Sequence, residues 1–420
     1  MTDNLLNVTI QETLIASKLP TPCYILDEAA LLKNCSILKQ VQDETGCKIL
    51  LAQKAFSNYD LYPVIAPYLA GTEASGLYEA RLGAEHMPHK ECHVFCGAYR
   101  EQDFEELLRY ADHIVFNSPS QLKKFGSRAK AAGKQIGIRI NPECSTQDGH
   151  EIYDPCAPGS RLGTTLAQWQ SQMTPELISL LDGIHFHTLC EQNSDALEIT
   201  LRAVEEKFGD ILYQMKWLNM GGGHHITRAD YDIDLLKKCI LHMKETYHLT
   251  IYLEPGEAVA LNAGYLYTQV LDTLQNGDTQ IAILDMSAAC HTPDVIEMPY
   301  TPPLWNSGAK GEKAHTFRLG GPTCLAGDII GDYSFDKPLK EGDYLLFEDM
   351  AIYSICKNNT FNGMPLPDIW VVRSDGSYEL LARFGYEDFK YRLGKSGVLQ
   401  NSYHSDYGNV SLHNYDVALD

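Results

Sequence analysis

A (β/α)8 barrel joined to a second, all-β domain is the fold class this sequence predicts, on three observations. Eight short apolar runs recur along the first two-thirds, at 48–53, 68–73, 93–96, 113–117, 135–141, 183–188, 216–220 and 250–254. Helical stretches separate most of them, at 28–42, 78–85, 101–110, 120–132, 194–208 and 231–247. After Glu254 the alternation stops and strand-like runs follow one another directly. Strand-then-helix repetition implies parallel strands with helical returns, the grammar of a barrel. A doubly wound sheet obeys the same grammar, and periodicity alone does not close the circle.

Each element has a local reason. The run Ile49-Leu50-Leu51-Ala52 is apolar on both faces, as a buried parallel strand requires. Ser118-Pro119-Ser120-Gln121 starts a helix, with Ser118 as the cap and proline in the first turn. Pro142–Thr165 is too polar for core and long enough to be a functional loop. Beyond Glu254 the expected strands are 265–274, 280–286, 316–319, 344–347, 369–373 and 378–383, with Ser374-Asp375-Gly376-Ser377 turning the last pair. The barrel is assigned to 22–260 and the β domain to 1–21 and 261–393. The polar stretch 394–420 shows no periodicity and receives no role.

Bulk properties narrow the function classes. A length of 420 residues exceeds what one core usually fills. Hydrophobic residues make up 44% and charged residues 21%, the balance of an ordinary globular protein. The net charge of −21 excludes a nucleic-acid backbone as partner, because that needs clustered Lys and Arg. The first sixteen residues carry no basic stretch ahead of an apolar core, and no apolar run approaches the ~18 residues of a membrane span. Twelve cysteines without a CxxC pair read as reduced thiols, so a cytoplasmic protein is expected. Cys92 and Cys96, with His93 between them, read as core.

The chemistry-bearing residues fall at strand ends. Lys54 follows the first barrel strand, where the active-site mouth of a barrel opens. A lysine held there is stripped of hydration and becomes a nucleophile, although a strand-end lysine can also simply reach to water. His185 and His187 lie two apart in Gly183-Ile-His-Phe-His-Thr, where a histidine pair can ligate metal, stack on a planar cofactor or fill core. His224, His225 and Cys190 are available as further ligands, without a metal-site spacing. Gly221-Gly222-Gly223 follows the seventh strand, where barrels often hold a phosphate. Glu254 in Glu254-Pro255-Gly256 can keep a pyridine nitrogen protonated or merely cap its strand. Cys324 in Gly321-Pro322-Thr323-Cys324 is a thiol in a tight turn, reactive or buried. Tyr353 could bind a phosphate oxygen or cap the core.

In this fixed order, from Thr21-Pro22-Cys23-Tyr24 to Phe384-Gly385-Tyr386-Glu387, the set resembles the alanine-racemase-type (fold type III) pyridoxal-phosphate decarboxylases of basic amino acids. Within that family it is most similar to the branch that acts on carboxylated polyamines. The resemblance implies a pyridoxal 5'-phosphate cofactor carried by Lys54 and stacked on His187. It implies phosphate held by Gly221, Gly222, Gly223 and Tyr353, Glu254 on the pyridine nitrogen, and Glu73 and Arg139 on the cofactor side. It implies a homodimer in which Cys324 crosses to the neighbouring site, with Glu257, Asp328 and Cys324 facing substrate. Three positions depart from most relatives. Glu257 stands where an arginine grips phosphate, Cys190 replaces a phosphate-binding serine, and Leu325 replaces the acid that reads the distal end of ornithine or diaminopimelate. Three rival expectations remain: an amino-acid racemase, which would set an arginine against the ring nitrogen; a metal-dependent barrel hydrolase using His185, His187 and His224; and a non-enzymatic regulator that has kept the fold.

Overall fold

The first strand, β1 (Cys23–Asp27), is buried along its whole length, because it lies inside a sheet with a neighbour on either side. Tyr24 registers against Leu266 in an antiparallel neighbour and against Ile369 in a parallel one. Residues 23–27, which the sequence reading gives to the barrel, thus form part of the second sheet. The structure is a computed structural model that describes residues 9–147 and 151–394; the expected polar tail lies almost wholly outside the described residues.

The next eight strands close into a parallel barrel: β2 (Lys48–Ala52), β3 (Gly71–Ala74), β4 (Glu91–Phe95), β5 (His113–Phe116), β6 (Gln135–Arg139), β7 (Gly183–His185), β8 (Trp217–Asn219) and β9 (Thr250–Leu253). The circle closes where Lys48 registers against Tyr252 and Ile49 against Leu253. The doubly wound alternative is thereby excluded. The barrel's interior is packed solid. Trp217 fills one side, and Gly137 and Gly183 make room for it: a Cβ at Gly183 would lie 2.0 Å from the Trp217 ring. Leu50, Val115 and Tyr252 complete that cluster.

The expected helices form, with ends moved by a few residues. Glu28–Thr45 is capped by Asp27, whose carboxylate accepts from the N–H of Ala30. Pro119–Ala131 is capped by Ser118 as anticipated, Oγ accepting from Gln121 N–H at 3.3 Å. The return from β2 to β3 is a single 3-10 turn, Tyr59–Leu61, running into the short helix Tyr62–Ile65, too brief to leave a periodic signal.

The second sheet has nine strands. β10 (Gly264–Asn276), β11 (Thr279–Leu284), β12 (Gly308–Ala309), β13 (His315–Gly320), β14 (Ile329–Phe335), β15 (Tyr344–Glu348), β16 (Asp368–Val372) and β17 (Tyr378–Ala382) join β1 in the order β12-β14-β13-β11-β10-β1-β16-β17, with β15 also pairing β10. The β16–β17 hairpin turns where expected, Gly376 adopting φ +84°. The helix Ile10–Ser17 covers one face, Leu14 packing with Ile25, Tyr267 and Leu346 while Gln11 donates to Glu348. No helix among the described residues is long and apolar enough to cross a membrane.

Candidate active site

Parallel strands bring their C-terminal ends to one rim, and that rim collects the strand-end residues. Lys54 sits in the turn after β2 and, with His187, Gly223, Glu254, Glu257 and Tyr353, lines one cavity. Cys190, Glu191 and Tyr153 complete its wall, so the long loop after β6 does reach the site.

Glu254, just past β9, is almost fully buried, and both of its oxygens are held. Asn219 Nδ2 donates to Oε1 at 2.5 Å and His185 Nε2 lies 3.0 Å from Oε2. Burial alone would raise its pKa, but His185 and the charge of Lys54 outweigh it and keep the carboxylate ionised. Asn219 is the site residue that sequence reading passed over. It also accepts from Gly221 N–H at 2.9 Å, joining the carboxylate to the glycine loop. Its only sequence signal is a polar residue closing an apolar run just before Met220.

Glu73 behaves oppositely. It lies one residue before the end of β3, feels the charge of Lys54, is buried, and its Oε2 has no hydrogen-bond partner. Burial raises its pKa most strongly; Lys54 pulls it down and Glu254 pushes it up again, leaving the protonated acid favoured. Arg139, at the end of β6, donates to the His187 carbonyl at 2.9 Å and lies over the Phe95 ring. Burial lowers its pKa to about 10.

His187 faces the cavity with a fixed orientation. Its Nδ1 accepts from Gly222 N–H at 3.1 Å, and burial, followed by the charges of Lys54 and Arg139, keeps the ring neutral. The glycines are required for contact as well as for conformation. Gly221 and Gly223 have φ +69° and +80°, and a Cβ on Gly222 would stand 2.4 Å from the Glu254 carbonyl. Tyr353 adopts φ +57°, strained for a side-chain-bearing residue, and its N–H donates to the Ala55 carbonyl at 2.8 Å. That bond fixes the second domain's tyrosine beside the turn of Lys54.

The wall beyond is acidic. Glu257 accepts from or shares a proton with His225 Nε2 at 2.7 Å. Burial and then the Glu257 charge raise the pKa of Glu191. Burial pushes the Cys190 thiol up to about 12, so it stays uncharged.

Three expectations need correction or qualification. The histidines expected for a metal hydrolase do not converge: His185 engages Glu254, His187 accepts from Gly222 N–H and His224 engages the Met220 carbonyl, while the neighbouring His225 engages Glu257. Asp328 does not line the Lys54 cavity of its own chain; its carboxylate accepts from Ser287 Oγ, Ala289 N–H and Thr323 Oγ1 and so braces the Cys324 turn. Cys324 itself is exposed, anchored through its N–H to Asn362 Oδ1 at 2.8 Å, and lies outside the Lys54 cavity of its own chain.

The rim therefore combines a lysine nucleophile, an ionised carboxylate held by two partners, a neutral imidazole face and a backbone-lined cradle. An uncharged acid with a free oxygen completes the set. A planar heteroaromatic ring carrying an anionic tail fits it.

Comparison with known proteins points the same way. A family model described as pyridoxal-dependent decarboxylase, C-terminal sheet domain, matches residues 23–351. A carboxynorspermidine/carboxyspermidine decarboxylase of Campylobacter jejuni is 40% identical over 386 residues, covering 89% of this chain and 99% of the relative. A carboxyaminopropylagmatine decarboxylase of Synechocystis sp. is also 40% identical, over 388 residues, 92% of this chain and 99% of the relative. The crystal structure of carboxynorspermidine decarboxylase complexed with norspermidine, from Campylobacter jejuni, superposes with a TM-score of 0.81 at 39% identity, covering 89% of this chain and all of the other.

Proposed function

Since this chain belongs to the pyridoxal-dependent decarboxylases, we propose that it removes CO2 from carboxynorspermidine and carboxyspermidine to give norspermidine and spermidine. The observation that carries this reading is the 40% identity, over nearly the full length of both chains, to a relative with that activity. The cavity's chemistry supports it. Glu191 and Glu257 repel each other across an acidic wall, and the amines of a polycationic substrate would relieve that repulsion. Leu325 leaves no acid after Cys324 to read the distal end of a shorter substrate.

Pyridoxal phosphate, when bound, supplies an electron sink for the pair released with CO2. The chain's own residues do the rest. Lys54 would carry the cofactor and supplies the amine that substrate displaces. Glu254, locked by Asn219 and His185, holds a proton on the pyridine nitrogen. His187, oriented by Gly222, covers one face of the ring. Gly221, Gly222, Gly223 and the Tyr353 hydroxyl would hold the phosphate, a task that falls to them because Glu257 and Cys190 stand at the positions of an arginine and a serine in most relatives. Arg139 and the uncharged Glu73 would stand on the cofactor side, at the end of β6 and near the end of β3. Cys324 of a second copy of the chain returns the proton to the α-carbon. A homodimer follows, each site completed by its neighbour.

Two measurements test this. In competition, ornithine, lysine and meso-diaminopimelate should show kcat/KM at least ~10²-fold below the triamine acids, the scale of losing one or two buried charge contacts. Equal efficiency for diaminopimelate or ornithine overturns the assignment. The equal identity to the Synechocystis enzyme makes carboxyaminopropylagmatine, with its guanidinium end, the competitor most worth including. A kcat/KM for it above that of carboxynorspermidine would move the assignment there.

For the shared site, mixing inactive Lys54→Ala and Cys324→Ala chains should restore about a quarter of wild-type activity if exchange is random and the two sites are independent. No recovery despite verified subunit exchange would place the proton donor within one chain.

A further inference from the structure

Parallel strands that gather chemistry at one rim also have an opposite end, and here that end carries its own constellation. Glu91 and His113 are the first residues of β4 and β5, and Lys48 is the first residue of β2. Glu91 and His93 lie two apart on one face of β4, and His93 registers directly against His113. The two imidazoles stack with centroids 3.8 Å apart. Glu91 Oε2 stands 3.1 Å from His93 Nε2 and 3.9 Å from His113 Nε2, and the ligand atoms of all three residues lie within 4.8 Å of one another.

His113 is the residue without an explanation. Its side chain is only 8% exposed, its Nδ1 has no hydrogen-bond partner, and its Nε2 is too far from Glu91 for a hydrogen bond. A buried imidazole left in that state costs free energy unless something else uses its lone pair. Burial, and then His93, keep it neutral, the form a metal ion requires. Among the described residues no hydrogen bond of the rim engages these groups, and the charge of His93 acts on Glu254 only at a distance.

We propose that Glu91, His93 and His113 form a binding site for one divalent transition-metal ion of the zinc class, separate from the decarboxylase centre. Two imidazoles and one carboxylate suit Zn²⁺, Co²⁺ or Ni²⁺ and are a poor set for Mg²⁺ or Ca²⁺, which favour oxygen ligands. With ligand bonds of about 2.0–2.2 Å, tetrahedral donors sit roughly 3.4 Å apart, close to the Glu91–His93 spacing already present. His113 closes the remaining gap by turning out of the stack. Glu91 coordinates through Oε2 while Lys48 keeps Oε1, the outer-shell partner that a ligating carboxylate usually has. The Glu91 side chain is 29% exposed, so water completes the coordination from the open end of the barrel. The ion would tie β4 to β5 and stabilise the folded chain by linkage.

The test uses the cofactor-loaded enzyme, stripped with chelator and titrated with Co²⁺. One equivalent should bind saturably at micromolar concentration, with visible d–d absorption and a higher unfolding temperature. Glu91→Gln and His113→Asn should each abolish both effects. Glu91→Gln changes a partly exposed residue and should keep the cofactor's absorption band and decarboxylation rate, which separates loss of metal from loss of fold. Absence of a saturable Co²⁺ signal in the wild type overturns the proposal, as does a signal that survives in Glu91→Gln.

Discussion

Replacing Lys54 by alanine is expected to lower kcat/KM by at least ~10³-fold, because the substitution removes both the covalent anchor of the cofactor and the amine that the substrate displaces. The loss should be visible before any substrate is added. Wild-type protein reconstituted with pyridoxal phosphate should absorb near the edge of the visible range, and borohydride followed by peptide mapping should fix the reduced cofactor on Lys54. The variant should show neither result, yet unfold with wild-type cooperativity once freed of cofactor, since Lys54 sits at the cavity wall and not in the core. Reduced cofactor mapped to a different lysine would defeat the assignment. Full retention of the band in Lys54→Ala would do the same.

Glu254→Gln should have the second largest effect, about 10²–10³-fold in kcat with KM nearly unchanged, the range seen when one oriented charge is removed from a reacting centre. The isosteric amide keeps contacts to Asn219 and His185 but cannot stabilise a proton on the pyridine nitrogen. The cofactor's absorption should therefore shift as its nitrogen loses that proton, a change that a purely structural role for Glu254 would not produce. His185→Gln, which removes the partner that most lowers the Glu254 pKa while leaving the carboxyl in place, should fall between wild type and Glu254→Gln. Equal rates for Glu254→Gln and wild type would remove the carboxylate from the chemistry.

How far the sequence reached depended on whether the information was local. The barrel strands were legible because burial on both faces makes each a short apolar run, and the polar residue ending each run marks the functional rim. Strand β14 went unseen because Ile-Ile-Gly-Asp-Tyr-Ser-Phe mixes turn-forming residues into a strand whose exposure does not alternate cleanly. Strand β1 was placed in the wrong domain for a subtler reason: nothing in Cys-Tyr-Ile-Leu-Asp says which sheet it enters. In the site, Lys54, His187 and Glu254 could be read from position. The partners that give Glu254 its charge could not, since Asn219 and His185 meet it through barrel register across three strands. The bracing role of Asp328 was not legible, because an acid near a reactive turn looks the same in sequence whether it faces a ligand, braces the loop or does both.

The place of β1 bears on how the chain must be made. Its antiparallel partner does not leave the ribosome until after the barrel strands, and its parallel partner begins only at Asp368. At ~5–20 residues per second of translation, the nascent Cys23–Asp27 segment waits between about 20 seconds and about a minute for the second of these. The barrel has all of its strands only once Leu253 has emerged, and the antiparallel partner of β1 follows at once from Gly264, so for the rest of that interval β1 is paired on one side alone. Vectorial synthesis thus leaves one open, adhesive edge on β1, the edge that later receives Asp368–Val372. A chain terminated before Asp368 would carry that exposed edge permanently, so premature stops late in the gene should yield insoluble protein more readily than stops that remove only residues after Leu393.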